Sequence, residues 1–250
     1  MDLKLIVVTH KHYDMPKDDI YIPVCVGSGL QTLRETYQPD DAGDNISEKN
    51  GTYCELTAAY WAHKNLSADY LGLCHYRRYF KMPGSDHPLT RAEAESLLST
   101  PSVILPPKRR YPYTTMEKHY IAATKGFRDI HQNDFAALRR AVSEVQPAYL
   151  QSLDRTLRGN HAHMLNMSIM PAEWFHQYYE WLFPVIDRTV ELCRSRPDQR
   201  RFAGALSEFL IDVWLNVTGY PTQEVALYET ETQSFFIRAV NALKHKLISS

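Results

Sequence analysis

Short apolar runs alternate with amphipathic segments along most of the chain, and this order restricts the possible folds more than any other sequence feature. The runs predicted to be strands are residues 3–8, 69–74, 102–105 and 163–170. Strands that alternate with helices predict a largely parallel sheet covered by helices on both faces. The chain has 250 residues, of which 44% are apolar, so it can form one large α/β domain.

Capping patterns predict where the helices between these strands begin. Thr52-x-x-Glu55 and Thr90-x-x-Glu93 each have the pattern of a capping box. Further helices are predicted at 134–145 with Asn133 as the cap, from Pro171 onward with a kink at Pro184, at about 198–217, and in a basic tail at 233–250.

Composition argues against several classes of protein. The 28 basic residues balance 29 acidic ones, so no basic face for nucleic acid is predicted. No run of about 18 apolar residues occurs, and no membrane-spanning helix is therefore expected. The four cysteines form no CxxC pair, which favours reduced thiols in a cytoplasmic protein. The chain also lacks GxSxG, Walker and GxGxxG motifs.

Polar residues follow three of the predicted strands or interrupt them. Ligands of largely parallel α/β sheets bind at the carboxyl ends of the strands. This rule points to Thr9–Lys11, to His75–Arg78 and to the segment around Asn166.

The adjacent residues Arg77 and Arg78 are candidates for binding a diphosphate. Each guanidinium is always charged and presents a planar fork that matches phosphate oxygens. Two of them could neutralise a leaving diphosphate. The same pair is equally typical of solvated arginines at the end of a strand.

The loop Asp44-Asn45-Ile46-Ser47-x-Lys49 precedes a predicted helix. A helix N-terminus favours anions, and Lys49 would add positive charge. The alternative is a turn whose Asp and Asn side chains cap the backbone.

Two further polar positions are candidates for contact with a sugar. Asn166 lies in the predicted strand 163–170, where its amide could bind sugar hydroxyls or form a structural hydrogen bond. In the predicted helix at 198–217, Arg201, Gly204 and Glu208 fall on one stripe. The small residue would leave room for a substrate, and the carboxylate could accept a proton from it. The alternative is a surface helix with ordinary charges.

The 11 histidines include the pair His161-x-His163, which could face one way on a strand. A metal site needs further ligands and supporting groups, and the spacing fixes none. No metal or other cofactor is therefore expected. A metal-dependent transferase or hydrolase with these two histidines and a nearby Asp remains the competing enzyme class.

Several segments resemble one bacterial family found in capsule, exopolysaccharide and O-antigen loci. The family was long described as a domain of unknown function and later linked to galactofuranosyl transfer. The similarity is carried by DNISEKNGTYCELTAAYWAHKN, ADYLGLCHYRRYF, residues 114–131, LNMSIMPAEWFHQYYEWLFPV and RRFAGALSEFLIDVWL. It spans nearly the whole chain, and CHYRRYF together with DNISxKN is its most specific part.

The resemblance implies a GT-A-like fold and an inverting glycosyltransferase. It implies that Glu208 is the base and that Arg77 and Arg78 stabilise the leaving diphosphate. The donor-binding residues that it implies are Thr9, His10, Lys11, Asp44, Asn45, Lys49, His75 and Asn166. Tyr76 and Arg201 are expected to belong to the same donor-binding site. The chain departs from the family pattern at Ser168, where a bulkier residue is expected, and at Phe209, where an Arg is expected.

The resulting prediction is transfer of a sugar from a UDP-sugar, with UDP-galactofuranose as one donor, to a glycan or lipid-linked oligosaccharide. The expected organisation is a single domain with a nucleotide-binding half at about 1–110, a donor and acceptor half at about 111–232, and the tail. The tail would rest on the inner face of the membrane or pack on its own domain. The non-enzyme alternative is a carbohydrate-binding or scaffold module.

Overall fold

The computed structural model describes residues 1–123, 130–196 and 198–231. The strands in this part of the chain are β1 Leu3–Thr9, β2 Tyr21–Cys25, β3 Gln38–Pro39, β4 Tyr70–His75, β5 Arg78–Phe80, β6 Val103–Leu105, β7 Arg109–Arg110, β8 His161–Ala162, β9 Ser168–Pro171, β10 Thr222–Glu224 and β11 Leu227–Glu229. The α-helices are α1 Leu30–Leu33, α2 Asn50–Tyr53, α3 Leu56–Asn65, α4 Arg91–Leu97, α5 Met116–Ala123, α6 Gln132–Val145, α7 Leu150–Arg158, α8 Ala172–Leu192, α9 Phe202–Ser207 and α10 Leu210–Thr218.

The main sheet has the strand order β10-β6-β9-β4-β1-β2-β3. Strand β1 pairs in parallel with both β2 and β4, whereas β9 runs antiparallel to its neighbours β4 and β6. Strands β5 and β11 extend the sheet beside the end of β4. The predicted α/β architecture with a mostly parallel sheet is confirmed.

Both faces of the sheet are buried, as a parallel sheet between helices requires. Strand β1 shows this by alternation: Ile6 and Val8 belong to the larger core cluster, with residues of α3, α6 and α8. Leu5 and Val7 point to the opposite cluster, which includes residues of α4. The central strand β4 needs a glycine, since a Cβ at Gly72 would lie 2.7 Å from the carbonyl oxygen of Ser168.

Several sequence predictions for these elements are confirmed. Strands β1, β4 and β6 lie where the apolar runs placed them. The capping box at Thr90 is present, with the Thr90 Oγ1 accepting from the Glu93 amide and the Glu93 carboxylate accepting from the Thr90 amide. Helix α8 follows Pro171 as predicted; it continues through Pro184, and the kink expected there stays a prediction.

Other element predictions are wrong. Thr52 lies inside the short helix α2, and α3 begins after Glu55 without a side-chain cap. Helix α6 begins after His131, whose amide donates to Asp134 Oδ2 at 2.7 Å, and not after Asn133. The segment predicted as one helix at 198–217 is two helices, α9 and α10.

The strand prediction at 163–170 is also wrong in its first half. Strand β9 begins only at Ser168, because Leu165 and Asn166 adopt positive φ angles of 83° and 53° and form a turn. Strand β2 was not predicted at all. The tail at 233–250 lies outside the described residues, and within these no helix combines the length and apolar character needed to span a bilayer.

Candidate active site

A cavity of about 380 Å³ lies at the carboxyl ends of β1 and β4. We call it the central cavity. Its position agrees with the rule for ligand sites in such sheets. Its lining residues are Val8, Thr9, His10, Val26, Ser28, Asn50, Gly51, Cys54, Glu55, His75, Tyr76, Arg77, Arg78, Leu165, Arg201 and Glu208.

The two adjacent arginines enter the central cavity on a tight hairpin. His75 at the end of β4 pairs with Arg78 at the start of β5, so Tyr76 and Arg77 form the turn. The guanidinium of Arg77 lies over the Tyr76 ring, 4.9 Å from its centroid, and donates from Nη1 to Glu231 Oε2 at 2.9 Å. The hairpin therefore brings both charges to one side of the cavity.

Arg78 is the more buried of the two, with 27% of its side chain exposed against 42% for Arg77. Burial lowers the pKa of its guanidinium, and the nearby charge of Arg109 lowers it further. Glu229 on the paired strand β11 lies 3.8 Å from Arg78 Nε, which has no hydrogen-bond partner among the described residues. This nitrogen is thus a buried polar atom that the described residues leave unsatisfied, which is uncommon in a folded protein.

The end of β1 forms the adjoining wall. Thr9 is buried, and its Oγ1 donates to the Lys11 carbonyl at 2.6 Å, which turns the chain as it leaves the strand. His10 packs edge-on against Tyr76 at 5.4 Å. Burial lowers the pKa of His10, and the charges of Lys11, Arg77 and Arg201 lower it further, so this ring is neutral at pH 7.

The segment after β2 contributes Ser28 to this wall. It approaches β1 closely because residue 29 is glycine: a Cβ there would lie 2.8 Å from His10 Cα. Lys11 does not line the central cavity. Its Nζ lies over the Tyr76 ring at 5.5 Å instead.

The residues of the predicted anion loop, Asp44, Asn45 and Lys49, do not line the central cavity. Asp44 accepts a hydrogen bond from Tyr60, and Asn45 donates to the carbonyls of Asp41 and Gly43. Lys49 forms an ion pair with Asp187 of α8 at 3.6 Å. These are the contacts of a capped turn, which was the alternative reading.

The residues that follow in the chain line the cavity instead. Asn50, Gly51, Cys54 and Glu55 border it from α2 and from the α2–α3 junction. The carbonyl of Gly51 accepts from the Arg201 amide at 2.8 Å, which joins this wall to the start of α9. The cavity is thus lined by the second part of the DNISEKNGTYCE motif, while the donor-binding role expected of Asp44, Asn45 and Lys49 stays a prediction.

Glu208 lies between α9 and α10 on the far wall and is only 8% exposed. The Tyr120 hydroxyl donates to its Oε2 at 2.9 Å. Arg201, the residue before α9, also lines the cavity. The predicted role of Gly204 is wrong: its Cα hydrogens face Cys54, and a Cβ would lie 3.0 Å from Cys54 Cβ, so no room for substrate arises there.

Asn166 does not line the central cavity, but its side chain forms hydrogen bonds to residues of two of the cavity walls. Its Nδ2 lies 2.8 Å from Glu55 Oε1, 3.0 Å from Ser207 Oγ and 3.2 Å from the Gly204 carbonyl. The preceding carbonyl, that of Leu165, is bonded to His75 Nε2 at 2.6 Å. The turn at 165–166 thus joins β4, the α2–α3 junction and α9.

The two histidines considered as metal ligands have other partners. His163 is buried, and its Nδ1 lies 2.7 Å from Asp212 Oδ1. His161 Nδ1 contacts Asn160 Oδ1 at 3.0 Å. Across residues 1–123, 130–196 and 198–231, no three His, Cys, Asp or Glu side chains are grouped to hold a metal ion.

Eight of the residues that line the cavity are among the predicted site residues, and some of the others carry a signal in the sequence. The eight are Thr9, His10, His75, Tyr76, Arg77, Arg78, Arg201 and Glu208. Ser28 follows the apolar run of β2 within Gly27-Ser28-Gly29, a pattern typical of a close backbone approach. Glu55 lies within the motif DNISEKNGTYCE and was assigned to a cap. Nothing in the sequence marks Cys54, although its φ of 54° lies in the left-handed region.

The arrangement combines three guanidiniums with a buried carboxylate around one cavity. Guanidiniums stabilise developing negative charge on phosphate oxygens, and a carboxylate within reach of a hydroxyl can accept its proton. Such a cavity can hold a phosphorylated ligand beside an attacking hydroxyl.

Comparison with known proteins gives one family model and one solved structure. A family model described as "Domain of unknown function (DUF4422)" matches residues 4–219. No curated protein matches the chain significantly. The apo structure of the bifunctional glycosyltransferase WbbM matches with a TM-score of 0.77 and 24% identity, over 94% of this chain and 46% of that one. The chain therefore spans a little under half the length of WbbM, and the likeness confirms the predicted GT-A-like fold.

Proposed function

The chain belongs to the family described as a domain of unknown function (DUF4422), and within that family we propose that it transfers a sugar from a nucleotide-sugar donor to an acceptor hydroxyl. The observation that carries the proposal is the composition of the central cavity. Arg77, Arg78 and Arg201 meet the buried carboxylate of Glu208 around one space at the ligand-binding edge of the sheet. The fold shared with a glycosyltransferase supports the same reaction class.

The arginines bind the diphosphate of the donor. When the bond between the anomeric carbon and the diphosphate breaks, its electron pair goes to the leaving oxygen. Fixed positive groups stabilise that charge without reorganising. Arg78 is suited to this role because it lines the cavity and is partly buried, where a fixed charge is less screened by water. Arg77 is more exposed and is balanced by Glu231 until a ligand arrives.

Glu208 acts as the general base. The acceptor oxygen forms a bond to the anomeric carbon while its proton passes to the Glu208 carboxylate. Attack from the side opposite the leaving group inverts the anomeric configuration. The hydrogen bond from Tyr120 to Oε2 holds the carboxylate in place at the wall of the cavity.

The nucleobase lies against the wall built by Thr9, His10 and Ser28. The proposed donor is a UDP-sugar, and UDP-galactofuranose is the first to test because of the similarity carried by DNISxKN and CHYRRYF. The proposed acceptor is a growing surface polysaccharide, either as free glycan or as a lipid-linked oligosaccharide.

Ligand binding tests this proposal against the scaffold alternative. The wild-type protein should be stabilised by UDP and UDP-sugars in a thermal-shift assay, since a ligand at 100 times its Kd adds about 2.7 kcal/mol. A scaffold module would bind glycan with no preference for nucleotides. Stabilisation by glycan alone would therefore contradict the proposal.

Two variants test the assigned roles. Arg77→Ala should lower kcat by about 10²–10³ through the loss of a charge that stabilises the leaving group. Arg140→Ala is the matched control, because this exposed arginine pairs with Glu144 along α6 and does not line the cavity. Glu208→Gln should lower kcat by about 10²–10⁴ while UDP binding is retained. Assays with and without EDTA test the metal-dependent alternative, which requires that chelation abolish turnover.

A further inference from the structure

The central cavity holds a second carboxylate for which the reaction above has no role. Glu55 lies at the α2–α3 junction, is partly exposed and lines the same space as Glu208 and the three arginines. Glu55 forms no ion pair with any of these arginines in the described part of the chain, so charge neutralisation does not account for it. A carboxylate that lines a ligand cavity and forms no ion pair can accept hydrogen bonds from the hydroxyl groups of a ligand.

The two oxygens of Glu55 have different surroundings. Oε1 accepts a hydrogen bond from Asn166 Nδ2 at 2.8 Å, which fixes the carboxylate. Oε2 has no hydrogen bond within residues 1–123, 130–196 and 198–231. One oxygen is therefore held by the protein while the other remains available to a ligand.

Asn166 also sets the position of Glu55 relative to the proposed base. The same Nδ2 lies 3.0 Å from Ser207 Oγ, so Glu55 Oε1 and Ser207 Oγ lie within about 6 Å of each other. Ser207 directly precedes Glu208 in the chain. Asparagine suits this position, because it tolerates the left-handed backbone found here better than most residues.

We propose that Glu55 binds hydroxyl groups of the transferred sugar and that Asn166 is the positioning residue that orients it. The inference rests on the proposed function. With the diphosphate at the arginines and the acceptor at Glu208, the transferred sugar lies between them in the same cavity that Glu55 lines. A carboxylate oxygen accepts hydrogen bonds only, so it selects sugars that present a hydroxyl donor at that position.

The substitution Glu55→Gln isolates the free oxygen. Glutamine keeps an acceptor for Asn166 and replaces Oε2 with an amide that donates. Loss of a hydrogen bond to a charged group should weaken binding about tenfold or more. We expect this loss in the Kd of the UDP-sugar and in KM, and no change in the Kd of UDP. Glu48→Gln is the matched control, because Glu48 is exposed and lies outside the cavity.

Isothermal titration with UDP and with a panel of UDP-galactofuranose, UDP-galactose and UDP-glucose separates the outcomes. If wild-type protein prefers a UDP-sugar over UDP and Glu55→Gln keeps that preference, the inference fails while the proposed function stands. If Glu55→Gln weakens UDP and UDP-sugar equally, Glu55 is structural and the inference also fails. Absence of any nucleotide binding by wild type would overturn both.

A double-mutant cycle tests the role assigned to Asn166. Asn166→Ala should weaken UDP-sugar binding in the same direction as Glu55→Gln, since the carboxylate loses its orientation. The two effects should combine to less than their product, because they act on one interaction. A melting curve confirms that each variant is folded. Fully multiplicative effects would contradict a positioning role.

Discussion

The close packing of α9 on the α2–α3 junction can be tested by adding one methyl group. A Cβ at Gly204 would lie 3.0 Å from the Tyr53 carbonyl oxygen, 3.0 Å from Cys54 Cβ and 3.3 Å from Cys54 Sγ. A Cβ at Gly51 would meet no atom within 4 Å. Both glycines lie in short helices, so Gly→Ala gives each a similar gain in helix propensity, up to about 1 kcal/mol.

The difference between the two variants therefore measures the cost of the contact. Overpacking a buried site costs about 1–3 kcal/mol, and the Tyr53 backbone oxygen cannot rotate away as a side chain can. We expect Gly51→Ala to be stabilising by up to about 1 kcal/mol and Gly204→Ala to be neutral or destabilising by up to about 2 kcal/mol. In a chain of this size the two melting temperatures should differ by at least about 2 °C.

Calorimetry or urea denaturation followed by circular dichroism gives both stabilities. Removing Cys54 Cβ in the double variant Cys54→Gly/Gly204→Ala should recover part of the loss, because two of the three close atoms are then absent. Equal shifts for Gly51→Ala and Gly204→Ala would refute the packing argument. The Gly204→Ala variant should also turn over more slowly, and weaker UDP binding should not account for the whole loss. The reason is that α9 leads directly into Glu208, and small displacements of catalytic groups lower the rate strongly.

Two further predictions concern charge. Burial lowers the pKa of His63 from its usual 6.5 to about 4, with smaller contributions from Lys64 and His176. Because the folded protein favours the neutral ring, the stability that this ring provides is present above pH 6.5 and is lost as the pH falls toward 4. The free energy of unfolding should fall by up to about 3 kcal/mol over that range, and a pH titration of His63→Gln should lack this part of the slope. Glu231→Gln removes the counter-charge on Arg77 and should lower the KM for the donor severalfold, more so at low ionic strength; an unchanged or higher KM would show that Glu231 positions the guanidinium.

The fold was predictable to the extent that burial shows in the sequence. Strands β1 and β4 are buried on both faces and appear as continuous apolar runs. The direction of β9 was not predictable, because it depends on where the chain re-enters the sheet. The turn at Leu165–Asn166 also broke the predicted strand, and a leucine with a φ of 83° gives no local signal of a turn.

The candidate site was predictable where a motif directly follows a strand. His75 to Arg78 line the central cavity because β4 ends there and its carboxyl end is fixed by the sheet. Asp44, Asn45 and Lys49 do not line the cavity, because a 3-10 helix at Ser47–Lys49 and the short helix α2 separate their segment from α3. Such turns depend on long-range contacts, for example between Lys49 and Asp187, that no local pattern reveals.

Backbone conformation gives independent support for the location of the site. Within residues 1–123, 130–196 and 198–231, the residues other than glycine with positive φ are Cys54, Leu165, Asn166 and Arg201. Three of them line the central cavity, and Asn166 is bonded to Glu55, which also lines it. For residues other than asparagine, each such conformation costs about 1–3 kcal/mol and persists only where the surrounding structure enforces it. Their concentration around one cavity is difficult to explain by packing alone, since glycine would relieve the strain at each position. This concentration is explained if binding a ligand requires the side chains at these positions or the cavity walls that they connect.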